Sequence, residues 1–223
     1  SNQEVWTKAY LMNFLRENTT HLELVDRGSW FYAAYRTGTD RRGVAFRADF
    51  DAVAVEDRVD APYVSAISGV GHKCGHDGHS ACLAALALEV DRTGADQNVF
   101  FLFQHGEETG DGAKACTELF RLERVDEIFG YHNRPGVPLG TVQVLDGTVY
   151  CGSMGMILDF QGIPSHASMP ELGRNPAYAI ADLIQALEGL QDPRQYEGLV
   201  LATVIQVDVG EPAFGIQASR GKL

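Results

Sequence analysis

Five apolar residues stand in an unbroken row at Val99-Phe100-Phe101-Leu102-Phe103, and the row stops abruptly at Gln104-His105-Gly106-Glu107-Glu108. A run this short and this continuous fits a strand covered on both faces, as in a parallel sheet buried between helices. The flanking pattern agrees. An Ala- and Leu-rich stretch from about His79 to Val90 reads as a helix, and Gly112–Leu122 reads as another. Trp30–Tyr35 and Val44–Phe50 read as strands joined by the turn-rich Thr37-Gly38-Thr39-Asp40, and Glu127–Tyr131 as a further buried strand. Residues 3–16 place Val5, Trp6, Tyr10, Leu11, Phe14 and Leu15 at helical spacing, an amphipathic opening helix. Strands alternating with helices give an α/β class, with a mostly parallel central sheet flanked by helices.

Open sheets of that class bind ligands beyond the carboxyl ends of their strands. Three expected strand ends carry polar, metal-competent groups: Asp49 and Asp51, then His105 to Glu108, then His132. The densest cluster precedes the first long helix: Gly71-His72-Lys73-Cys74-Gly75-His76-Asp77-Gly78-His79. Its thiol, imidazole and carboxylate groups suit a divalent transition metal, and its glycines let the loop fold tightly. The adjacent acids Glu107 and Glu108 can divide two tasks, one binding a cation and the other remaining free as a base. Metal-assisted amide hydrolysis needs both parts. Asp49 reads equally as a group that orients a ligating imidazole or as a turn acid.

Charge narrows the choice. Thirty acidic residues against 18 basic ones give a net charge of −12, the opposite of a nucleic-acid footprint. No apolar run approaches the ~18–20 residues of a membrane span. No basic-then-apolar leader opens the chain, so a cytoplasmic location is the expectation. Cys74, Cys82, Cys116 and Cys151 form no dense framework, which argues against a disulfide scaffold. Gly69-Val70-Gly71 lacks the third glycine of a dinucleotide loop, and no PCxxC partner supports a zinc deaminase.

The texture changes after about residue 153. Met156–Phe160 and Leu199–Val209 read as strands around a helix at Asn175–Leu190, whose Ala177, Ile180, Leu183, Ile184 and Leu187 share one face. The expected organisation is therefore residues 1–153 as one domain and 154–223 as part of a second, smaller α+β one.

Taken together, these stretches resemble the amidohydrolase branch of the dinuclear-metal aminoacylase and carboxypeptidase family. The resemblance is carried by Arg47-Ala48-Asp49-Phe50-Asp51-Ala52, His72-Lys73-Cys74-Gly75-His76-Asp77-Gly78-His79, Phe103-Gln104-His105-Gly106-Glu107-Glu108 and Gly130-Tyr131-His132. It implies two divalent ions (zinc, manganese, nickel or cobalt) ligated by Cys74, His76, Glu108 and His132, with Glu107 as general base. It implies a small N-acyl amino acid or peptide substrate. The second domain is implied to be a ferredoxin-like lid through which subunits pair in many relatives, with His166 contacting substrate or its developing oxyanion. Relatives carry Pro-Ala where this chain has His105-Gly106, and Leu-Pro where it has Val53-Ala54. They also run on to a final metal-binding histidine, so the chain is expected to be an N-terminal part with four of five ligands and weak activity by itself. Two other readings share the fold: a metal- or substrate-binding relative without catalysis, and an exopeptidase that requires a free amino terminus.

Overall fold

In the computed structural model, which describes residues 1–38, 42–58, 60–147 and 149–223, the chain divides into two compact units, Ser1–Leu139 and Gly140–Leu223. The division falls ahead of the change in sequence texture near residue 153.

The first unit is built on a five-stranded sheet. Its elements in chain order are α1 (Val5–Asn18), β1 (Leu22–Arg27), β2 (Trp30–Tyr35), β3 (Gly43–Asp49), α2 (His76–Thr93), β4 (Asn98–Gln104), α3 (Asp111–Cys116), α4 (Leu119–Leu122) and β5 (Glu127–Gly130). The spatial order is β1-β2-β4-β3-β5. The sheet is mixed: β1 with β2 and β2 with β4 run antiparallel, while β3 runs parallel to both β4 and β5. β4 thus lies between β2 and β3, which were expected to be joined as neighbours. Thr39 and Asp40 of the turn expected between them lie outside the described residues.

The unbroken apolar run of β4 follows from burial on both sides. Phe101 and Phe103 face one way, with Phe31, Ala33 and Ala48, against Leu11 and Leu15 of α1 and Leu83, Ala84 and Ala87 of α2. Phe100 and Leu102 face the other way, with Trp30, Tyr32 and Ala45, against Cys116 of α3 and Leu119 of α4. Phe31 and Phe103 stack at a centroid separation of 4.5 Å with rings 3° from parallel. Alternate residues of Val99–Phe103 therefore feed two cores, which is why that stretch is apolar throughout.

Several boundaries differ from the expectation for definite reasons. β1 was not expected: exposed Glu23 and Asp26 interrupt its apolar residues, of which Leu22 and Leu24 pack on one core and Val25 on the other. The helix expected over Gly112–Leu122 is two short turns, α3 and α4, separated at Thr117 and Glu118. β5 has all four residues exposed because it forms the edge of the sheet. α2 begins at His76, three residues ahead of the expected start, which moves two histidines onto its first turn.

The second unit holds a three-stranded antiparallel sheet, order β6-β8-β7, from β6 (Asp159–Gln161), β7 (Asp208–Val209) and β8 (Arg220–Lys222). Its helix α5 (Pro176–Gly189) starts where expected, with Pro176 at the first position and the Asn175 side chain accepting from the Ala177 amide at 3.0 Å. Ile180 of α5 is its buried anchor. The strand expected over Leu199–Val209 is reduced to its last two residues. Among the described residues no helix is long and apolar enough to cross a membrane.

Because Phe103 supports both the stacked pair and the α1–α2 face, Phe103→Ala should lower stability by about 3–5 kcal/mol. Urea unfolding followed by tryptophan fluorescence measures this; a loss of under about 1 kcal/mol would contradict the two-sided core.

Candidate metal centre

The parallel half of the sheet sets the site. Register pairs Asp49 with Gln104 across β3 and β4, and Arg47 with Gly130 across β3 and β5. Three chains running the same way therefore end at the same edge. Asp49 and Asp51 leave β3 there, His105 to Glu108 leave β4, and Tyr131 to Asn133 leave β5. The first turn of α2 completes the set with His76 and His79, which at a spacing of three share one helix face. Gly75, in the left-handed conformation at φ +87°, makes the turn into that helix. A Cβ there would also come within 2.7 Å of the Asn133 side-chain amide. Gly112 serves the next loop in the same way: a Cβ on it would collide with the His105 carbonyl, while its amide donates to the Gly106 carbonyl at 3.1 Å.

His76 is fully buried and is held by Asp51, whose Oδ1 lies 3.0 Å from Nδ1. Burial raises the pKa of Asp51, yet its net value falls below the ordinary carboxylate range. The Ser1 hydroxyl, the Glu108 amide, the His76 imidazole and the Glu107 amide together outweigh the burial. The Glu108 amide donates to Asp51 Oδ2 at 3.1 Å. An ionised carboxylate can only accept, so Nδ1 of His76 carries the proton and Nε2 presents a lone pair.

That Nε2 is buried without a hydrogen-bond partner. Around it lie Asp49 Oδ2 at 3.7 Å, Glu108 Oε1 at 3.7 Å and Glu107 Oε2 at 3.9 Å. Asp49 Oδ2 is likewise buried and unbonded; Arg47 Nη1 approaches it to 2.8 Å as an ion contact, without the alignment of a hydrogen bond. Nε2 and the three carboxylates facing it are all acceptors, so they cannot satisfy one another, and a cation between them can.

A second group adjoins the first. Cys74 Sγ lies 3.3 Å from His132 Nε2, and His132 Nδ1 donates to the Asn133 carbonyl at 2.8 Å. Burial, then the charge of Glu108 and a hydrogen bond to it, then the charges of Glu107 and Asp49, push the Cys74 thiol up to about 11. The protonated thiol can therefore donate to the bare His132 nitrogen. Among the described residues, three sets have ligand atoms close enough to share one ion: Cys74-His76-His132, His76-Glu107-Glu108 and Asp49-His76-His79. The mixture of thiol, imidazole and carboxylate suits zinc, manganese, nickel or cobalt.

The structure thus brings together Cys74, His76, Glu107, Glu108 and His132 as the sequence suggested. It gives the His76-orienting task to Asp51, while Asp49 binds His79, with Nδ1 to Oδ1 at 2.7 Å. The two-residue spacing of Asp49 and Asp51 was the available signal, since it points both side chains to one side of the strand end. His79 and Asn133 carried no separable signal. His166 lies in the second unit, exposed; the Ser168 amide donates to its Nδ1 at 3.2 Å and the Ser168 hydroxyl lies 2.7 Å from the same atom.

Comparison with known proteins agrees with this geometry. The model for peptidase family M20/M25/M40 matches residues 45–213. An N-acetyl-L-cysteine deacetylase of Bacillus subtilis is 30% identical over 190 residues, covering 84% of this chain and 46% of that protein. An N-acetyldiaminopimelate deacetylase of Leuconostoc mesenteroides is 35% identical over 156 residues, covering 68% of this chain and 41% of that protein. The chain thus spans less than half the length of either relative. A dinuclear metal-binding peptidase of the M20 family from Bacillus subtilis matches at a TM-score of 0.70 and 26% identity, covering 100% of this chain and 57% of its own.

Asp51 gives the site a pH signature. Its folded pKa is depressed, so its stabilisation is complete above about pH 4 and is lost as pH falls through the folded value. With cations chelated, Asp51→Asn should be less stable than the parent near about pH 6, the two converging towards about pH 2. Urea midpoints across that range test it, and a constant gap would show that Asp51 carries no titration-linked stability.

Proposed function

The chain belongs to peptidase family M20/M25/M40, and on that premise we propose that it carries the N-terminal part of the active site of a metal-dependent deacylase of small N-acyl amino acids. One observation carries the proposal: the buried, unbonded Nε2 of His76 faces three carboxylates at 3.7–3.9 Å. The deacetylase names of the relatives at 30% and 35% identity favour an N-acyl amino acid over a peptide with a free amino terminus.

Two divalent ions are proposed, held by Cys74, His76, Glu108 and His132. When bound, such ions would polarise the acyl carbonyl and lower the pKa of water. The remaining work falls to the chain. Glu107, with 40% of its side chain exposed against 28% for Glu108, is the more open of the two acids. It takes the proton of the attacking water and passes it to the leaving amine. Asp51 keeps the His76 ring fixed while charge shifts around it. In the second unit, proposed as the lid and as a pairing surface between subunits, the Ser168 amide donates to His166 Nδ1, so Nε2 carries the ring proton. That leaves His166 a donor suited to a developing oxyanion. The four cysteines are unpaired, and a thiol ligand fits the reducing cytoplasm in which we place the protein.

Glu107→Gln should cut kcat for an N-acetyl amino acid by about 10²–10⁴ while metal content, by elemental analysis, stays at the parent value. Unchanged turnover would remove Glu107 from the role and favour a relative that only binds.

The raised thiol pKa supplies a second test. Zinc binding near neutral pH should expel about one proton per chain from Cys74, seen with an indicator in weak buffer, and Cys74→Ser should abolish that release. Equal release from parent and variant would exclude Cys74 as a ligand.

A further inference from the structure

His79 is a buried imidazole that the reading above leaves without a task. Its Nδ1 lies 2.7 Å from Asp49 Oδ1, and because the carboxylate only accepts, Nδ1 holds the ring proton. The backbone N–H of Asn133, which can only donate, points at His79 Nε2 from 3.0 Å. The side-chain oxygen Oδ1 of Asn133 lies 2.7 Å from the same nitrogen; the oxygen and the NH₂ of this amide exchange places by a half-turn, and the turned form donates to Nε2 alongside the backbone N–H. Both ring nitrogens are thereby committed. This removes His79 as a ligand even though it lies close enough to Asp49 and His76 to share an ion.

The commitment leads onward. The carbonyl of Asn133 accepts from His132 Nδ1 at 2.8 Å and leaves His132 Nε2 bare beside Cys74. The hydrogen-bonded path runs Asp49, His79, Asn133, His132. The Tyr131 hydroxyl adds a tie from the same strand end to the His79 carbonyl at 3.1 Å. The His79 ring also packs 4.6 Å from the His132 ring and 5.4 Å from that of His76. Only histidine offers a donor on one side and an acceptor on the other within a rigid plane of this size.

Resting on the metal-centre reading, we propose that His79 is the positioning residue of the His132 arm, setting the direction and tautomer of His132 through the backbone of Asn133. Two substitutions separate its contacts. In His79→Asn the short amide keeps the Asp49 bond and loses the reach to Asn133. In His79→Gln the longer amide supplies an acceptor for the Asn133 N–H.

The first experiment records ring ¹⁵N resonances of the metal-free chain. An Nδ1–H tautomer at His79 is expected, and an Nε2–H tautomer or an imidazolium overturns the proposal without reference to metal. The second titrates metal-free parent and variants with Co²⁺, reading affinity and ligand-field intensity, with melting of the metal-free chains as the control for folding. His79→Asn should weaken binding about 10–100-fold with altered band intensity, while His79→Gln stays within about threefold of the parent. Equal losses in both variants with equally lowered melting, or no loss in either, overturn the assignment to His79 alone. A parent chain that takes up no Co²⁺ overturns the metal-centre reading, and this inference with it.

Discussion

The hydrogen bond from His76 Nδ1 to Asp51 Oδ1 fixes more of this site than any other single contact. By taking the proton to one side of a fully buried ring, it turns the other nitrogen into a lone pair with nowhere to donate or accept. Leaving one buried polar group unbonded costs about 1–3 kcal/mol, and a carboxylate facing it adds repulsion. Here Asp49, Glu107 and Glu108 all face it. A domain whose whole stability is about 5–15 kcal/mol retains such a cluster only where it has a use. Burial, and after it the same carboxylates, push the Cys74 thiol up, so the site resists losing the very proton that a cation must displace. A cation resolves both conflicts together, which is why the acceptor-only composition points so directly to metal.

The mixed sheet divides the labour. Its antiparallel half, β1 and β2, gives the core Trp30, Phe31, Tyr32, Ala33 and Ala34 and contributes nothing to the metal centre. Its parallel half, β4, β3 and β5, brings three chain ends to one edge, because parallel strands finish on the same side. β4 belongs to both halves: its five apolar residues fill two cores, and the next residues supply Glu107 and Glu108.

How much could be read from the sequence depended on how local each signal was. The β4 run and the loop around Cys74 were legible because their chemistry is contiguous. The α/β class followed from the alternation of such runs. β1 was not legible, since Glu23 and Asp26 break up its short apolar stretch and make it resemble a polar loop. The start of α2 was missed because Gly75 and Gly78 suggest a loop, whereas Gly75 supplies the left-handed turn that opens the helix. Asp51 was recognised as a strand-end acid, but the partner of each acid depends on where α2 presents His76 and His79, which only the assembled fold specifies. The placement of Asn133 was beyond sequence reach, as its contribution comes through its main chain.

Main-chain groups hold several of the side chains of this site. At His132 the ring nitrogen turned away from Cys74 is engaged by a main-chain group, the Asn133 carbonyl. Asp51 is likewise held in part by the Glu108 amide. A main-chain group survives any substitution that preserves the local path of the backbone. The geometry of the centre is then stored in the strand ends and in the glycines that allow close approach, notably Gly75 and Gly112. Ahead of the paired acids, the loop at His105-Gly106 is closed in the same way, by the Gly112 amide donating to the Gly106 carbonyl.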